Sequence, residues 1–97
     1  MVKWSEPAKK TLQQIYYYIA MDSEYYAKIV IDKLITASEK LHDFPKIGRI
    51  VPEFSNENIR ELFVYSYRLM YEIIENDIII IAIVHGKQNF SGKSDVS

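Results

Sequence analysis

Seven consecutive apolar residues, Ile78 to Val84, constrain this chain more than any other segment. The run is too short to span a bilayer. It has no polar residue on either parity, as expected of a central strand covered on both sides. Before it, Tyr67, Leu69, Tyr71 and Ile73 share one parity, and Arg68, Met70, Glu72 and Ile74 share the other. That alternation predicts a strand with two unlike faces. Glu75-Asn76-Asp77 supplies turn chemistry between the two runs. The apolar run stops at His85-Gly86-Lys87, a strand end where polar groups reach solvent or a ligand.

The segment upstream reads as helices. Val2-Lys3-Trp4 is a short strand, and Ser5-Glu6-Pro7 is a helix start with a hydroxyl cap, an acid and an N-terminal proline. Ala8, Leu12, Ile15 and Ile19 follow at helical spacing, predicting a helix over 6–20. Asp22-Ser23 caps a second helix, over 23–42, whose stripe is Ala27, Val30, Leu34, Ala37 and Leu41. The short connection makes the pair an antiparallel hairpin. Phe44-Pro45 stops the second helix, since the residue before proline is pushed out of the helical region. A polar loop from Lys46 to Glu57 leads into strands at 59–65, 67–74 and 78–85. The expected class is α+β: an N-terminal strand, then a helix hairpin on one face of an antiparallel sheet. If the Tyr67, Leu69 and Tyr71 set packs under the helices, Arg68 stands on the open face.

The 97 residues suit one domain, expected over 1–90, with 91–97 as a flexible tail. A domain of this size buries roughly 65% of its unfolded surface. The absence of cysteine excludes disulfides and thiolate metal sites and suits a reducing cytoplasm. His42 and His85 lie too far apart in sequence to suggest a metal site. A formal net charge of −1 gives no bulk attraction to nucleic acid, so any such contact needs a local cluster. Ile29, Ile31 and Ile35 exceed what the buried stripe of the second helix can hold, and leftover apolar surface marks a protein interface.

Several short motifs run in order along the chain. They are Leu41 with Phe44-Pro45, Gly48-Arg49, Pro52-Glu53, Ile59-Arg60-Glu61-Leu62, Tyr67-Arg68-Leu69-Met70-Tyr71 and Val84-His85-Gly86-Lys87. With the early Pro-Ala and Tyr18-Ile19-Ala20, their order and spacing resemble the RelE/ParE superfamily of bacterial toxins across residues 2–90. The resemblance implies a β-α-α-β-β-β fold and a small cytoplasmic toxin neutralised by a cognate antitoxin, with no cofactor. One branch of the superfamily cleaves messenger RNA on the ribosome, and the other blocks DNA gyrase.

Metal-free RNA cleavage needs a base, an acid and a cation on the phosphate. His85 would serve as acid or base, Arg68 and Arg60 would hold phosphate, and Glu53 would be a carboxylate base. Where the nuclease branch carries further Arg, Tyr or His residues, this chain has Gln88-Asn89-Phe90, and it contains three arginines in all. The ending Val84-His85-Gly86-Lys87 resembles the gyrase-directed branch more closely. That reading puts target binding on Arg49 and Lys87 and antitoxin binding on Ile29, Ile31 and Ile35.

Each residue also has a purely structural use. Arg68 would pair with Glu61 or Glu72 across the hairpin. His85 would bond a backbone carbonyl at the sheet edge, and Arg49 would clamp loop carbonyls or a helix C-terminus. The Tyr16-Tyr17-Tyr18 and Tyr25-Tyr26 clusters suit the helix hairpin and a partner surface better than base stacking.

Overall fold

The computed structural model describes residues 1–85. Strand β1 (Val2–Trp4) leads into helices α1 (Glu6–Ala20) and α2 (Glu24–Glu39). A 3-10 turn, Lys40–His42, extends α2. Four strands follow: β2 (Arg49–Ile50), β3 (Ile59–Val64), β4 (Tyr67–Ile74) and β5 (Asp77–His85). They form one sheet in the order β1-β5-β4-β3-β2.

Both helices begin where their caps require. Ser5 Oγ accepts from the Ala8 amide of α1, and Ser23 Oγ accepts from the Tyr26 amide of α2. Each satisfies an amide that the first helical turn leaves without a partner. The buried stripe is Ala8 and Ile15 on α1, with Val30, Leu34 and Leu41 on α2 and its extension. It packs on Leu69 and Tyr71 of β4 and on Ile78, Ile80 and Ile83 of β5.

The β3–β4–β5 meander is antiparallel, as the motifs imply. The sheet as a whole is mixed, because β1 adds to β5 in parallel, Val2 beside Ile78 and Trp4 beside Ile80. A parallel neighbour needs a long crossover, and the helix hairpin begins that crossover here. Strand β5 is therefore interior, with β1 on one side and β4 on the other.

A bulge explains why β5 shows no alternation. Tyr71 pairs with Ile80 and Met70 with Ala82, so Ile81 has no opposite residue. The extra residue reverses the parity of the strand. Ile78, Ile80 and Ile83 thus all face the helices although their spacing is uneven. Ser5 secures this kink, since its amide donates to the Ile80 carbonyl and its hydroxyl to the Ile81 carbonyl.

The second face of the sheet is not open over β3 and β4. Met70 and Val51 are fully buried yet stand apart from the helix-side cluster. Arg68, expected on an open face, is 4% exposed beneath the segment that carries Glu53. The expectation failed because the loop from Lys46 to Glu57 has no periodicity to show that it folds back over the sheet.

Candidate functional site

Strand pairing places the candidate residues on definite faces. Arg68 lies opposite Phe63 on β3 and Val84 on β5, and Glu61 lies opposite Met70. These residues project away from the helices. Tyr67 lies opposite His85, and Arg60 opposite Tyr71, on the face that carries Leu69 and the helix-side core.

On the far face two arginines and two glutamates form one chain of ion pairs. Arg68 Nε donates to Glu61 Oε1 at 2.6 Å. Its two terminal nitrogens donate to the two oxygens of Glu53, at 3.0 and 2.8 Å. The second oxygen of Glu61 accepts from Arg49 Nε at 2.5 Å. The bidentate fork on Glu53 suits a guanidinium and not an ammonium. The pairing with Glu53, above all, holds the Arg68 pKa above its ordinary value, outweighing burial, and Glu61 adds to it. Two positive and two negative charges cancel, so buried ions carry little net field.

Beside it the chain returns from α2 to the sheet edge. Tyr71 Oη donates to the Pro45 carbonyl at 2.6 Å and accepts from the Gly48 amide at 2.9 Å. Burial pushes the Tyr71 hydroxyl pKa above its ordinary value of 10.0, against the Gly48 bond and the Arg60 charge. A Cβ at Gly48 would lie 2.7 Å from both the Glu61 carbonyl oxygen and Tyr71 Oη. Arg60 clamps the same segment, donating to the Glu57 carbonyl at 2.9 Å and the Gly48 carbonyl at 3.0 Å.

The proposed nuclease groups are therefore divided. Arg68 and Glu53 meet as partners of each other on one face. Arg60 is tied to loop carbonyls on the other. His85 ends β5, exposed, with its ring edge-on to Tyr67 at 6.1 Å. Among the described residues no cluster of three or more His, Asp or Glu is placed to hold a metal. Lys87, Gln88 and Phe90 lie outside the described residues, as does the tail at 91–97.

Arg49 has a different role from a loop clamp. Its Nε is held by Glu61, but its side chain is 60% exposed and its guanidinium lies 5.2 Å from the Phe63 ring centroid. Of the interface candidates, Ile29 is half-buried, Ile31 packs against the core and Ile35 is exposed. Tyr17, Tyr18, Met21, Tyr25 and Tyr26 are exposed around the connection between the helices. The role of Glu53 as the second partner of Arg68 was missed, because it sits in an irregular loop fifteen positions upstream, with the whole of β3 between the two.

Three comparisons bear on this architecture. The profile of a family described as ParE toxin of type II toxin-antitoxin system, parDE, matches residues 2–90. Among solved structures the chain is similar to one described as the chromosomal ParDE TA system from P. aeruginosa. That match has a TM-score of 0.71 and 18% sequence identity, over 87% of this chain and 92% of the other. At that identity the likeness speaks for the fold. No curated protein matches the chain.

Proposed function

The chain belongs to the ParE toxin family of type II toxin–antitoxin systems, and from that premise we propose that it arrests growth by binding DNA gyrase. A cognate antitoxin holds it inactive in this reading, and both act in the cytoplasm. The structural likeness to a ParDE toxin–antitoxin system supports an antitoxin as partner.

The observation that carries the choice of mechanism is the state of Arg68. A phosphate-binding arginine must offer its fork to the substrate. Here Glu53 takes both terminal nitrogens and Glu61 takes Nε. The imidazole that would move protons, His85, projects from the opposite side of the sheet. Proton transfer requires donor and acceptor within hydrogen-bond reach of one reacting atom. Groups on two faces of a sheet do not share one. A toxin of this form acts by occupying its target; among the described residues Arg49 is exposed and suited to that, and the family resemblance adds Lys87.

The test is expression of the chain alone from a tightly controlled promoter. Growth should stop, and co-expression of the small gene beside it should restore growth. Normal growth with soluble toxin confirmed in the lysate would contradict the proposal.

A further inference from the structure

Of the three arginines, Arg68 is buried between its two carboxylates and Arg60 is tied to loop carbonyls. Arg49 is held differently. Strand pairing sets it opposite Glu61, on the sheet face turned away from the helices. Phe63 follows Glu61 on that same face of β3. One nitrogen of Arg49, Nε, donates to Glu61, whose other oxygen is fixed by Arg68. The guanidinium carbon lies 5.2 Å from the centroid of the Phe63 ring. Yet the side chain is 60% exposed, and its two terminal amino groups make no hydrogen bond among the described residues.

An arginine held at Nε and against a ring has little rotamer freedom left to lose when a ligand arrives. Its remaining amino groups form a planar pair of donors that matches the two oxygens of a carboxylate or phosphate. Phe63, 58% exposed, adds apolar surface beside those donors. Arginine with an aromatic ring is a combination enriched at protein interfaces. The charge of the face decides which oxyanion it takes. Glu53, Glu61 and Glu72 share it with Arg49 and Arg68, three carboxylates to two guanidiniums. A phosphodiester strand, charged at every unit, is repelled by that surplus. A single carboxylate at the fork is not. One exposed ion pair is weak alone, so a free small acid is not retained, whereas a protein surface that also covers Phe63 is.

We propose that Arg49 and Phe63 are the specificity-determining pair for this toxin's protein target. Arg49 takes an aspartate or glutamate of that target, and Phe63 takes an apolar side chain beside it. Glu61 is the positioning residue that fixes the fork. The proposal rests on the reading that the toxin acts by occupying a protein target. The apolar residues expected to meet the antitoxin, Ile29, Ile31 and Ile35, belong to α2, in the layer on the opposite side of the sheet. The two contacts therefore use different sides of the molecule.

The probe is purified DNA gyrase. The half-inhibitory concentration of the purified full chain in a supercoiling assay is read for wild type, Arg49→Lys, Arg49→Gln and Phe63→Ala. Lys10→Gln, at an exposed lysine of α1, is the charge control. Arg49→Lys keeps the charge and loses the fork, so inhibition should weaken about tenfold. Arg49→Gln should weaken it at least as much and flatten its salt dependence. Phe63→Ala should weaken it at every salt concentration, because the loss is apolar. Lys10→Gln should leave it unchanged. Arg49 and Phe63 are exposed, so unchanged circular dichroism is expected of the variants. Growth arrest by the same variants is read in parallel. A wild type that arrests growth without affecting gyrase sinks the gyrase reading alone, provided that Arg49→Lys and Phe63→Ala relieve the arrest. Full inhibition or full arrest by those two variants at equal protein level would overturn the proposal. So would retardation of duplex DNA by the wild type that Arg49→Gln abolishes, which makes the fork a phosphate site. Loss of antitoxin co-purification in the variants, with gyrase inhibition intact, would overturn it as well. A wild type inert in both assays overturns both readings together.

Discussion

At Arg68 three nitrogens of one guanidinium meet two carboxylates; Arg68 and Glu61 are buried, and Glu53 closes the set from the solvent side. Replacing Arg68 takes the guanidinium fork away from Glu53 and leaves the buried Glu61 with Arg49 alone. Breaking a buried pair costs about 3–5 kcal/mol. Arg68→Lys should therefore lower stability by a comparable amount, since an ammonium cannot span Glu53 and Glu61 together, and denaturant unfolding reads it directly. Tyr71 offers a second residue-scale test. Tyr71→Phe removes a donor to Pro45 and an acceptor for Gly48, a loss of about 1–3 kcal/mol for the buried groups left unsatisfied. The Tyr71 pKa is raised on folding, so its contribution is complete below the ordinary value of 10.0. It is lost as pH climbs from there through the folded-state value. Thermal unfolding between neutral and strongly alkaline pH should show that decline in the wild type and less of it in Tyr71→Phe. Gly48→Ala should cost about 1–3 kcal/mol by overpacking against the Glu61 carbonyl oxygen and Tyr71 Oη. Half of the Arg68 network was legible in the sequence: hairpin register puts Glu61 within reach of Arg68. Glu53 was not, because nothing in the Lys46 to Glu57 loop indicates where a carboxylate will return to the sheet.

The elements show how short-range chemistry sets long-range geometry. Ser5 caps α1 and also holds the two carbonyls at the β5 bulge, so one residue ties the first helix to an interior strand. Ser5→Ala should cost about 1–2 kcal/mol, at the upper end for a helix cap because the bulge bond is lost as well. The two hairpins carry positive φ at their first connecting residue, Tyr65 and Glu75, both at 56°. Positive φ there and not at the second residue is the pattern of a type II′ turn, which favours glycine. Glu75→Gly should raise stability by up to about 1 kcal/mol, relieving the left-handed conformation while adding freedom to the unfolded chain. A lower melting temperature would contradict that account of the turn. The helices and the meander were legible because their periods are long and clean, with α1 matching 6–20 throughout. Strand β2 was not, since two residues carry no period. The bulge at Ile81 was also hidden, because a parity change leaves no trace where every residue is apolar. The parallel placement of β1 has the same cause: three residues do not announce a partner or a direction.

For the whole molecule, the arrangement favours recognition over catalysis. A metal-free nuclease would assemble its cation, acid and base around one phosphate. This sheet sends Arg68 and Glu53 to one side, Arg60 and His85 to the other, and uses three of the four to hold backbone or one another. The exposed cation and aromatic that remain beside this network, Arg49 and Phe63, suit contact with other proteins. Family membership and fold come from the match over residues 2–90 and from the shared architecture, whereas the target is the proposal that needs measurement. The most direct measurement adds purified wild-type chain to two assays in one extract: supercoiling by DNA gyrase and cleavage of a ribosome-bound transcript. Supercoiling should fall in proportion to the toxin added while the transcript stays whole, and His85→Ala should create no difference in the transcript lane. Ribosome-dependent cleavage by the wild type that disappears in His85→Ala, with supercoiling untouched, would contradict the account.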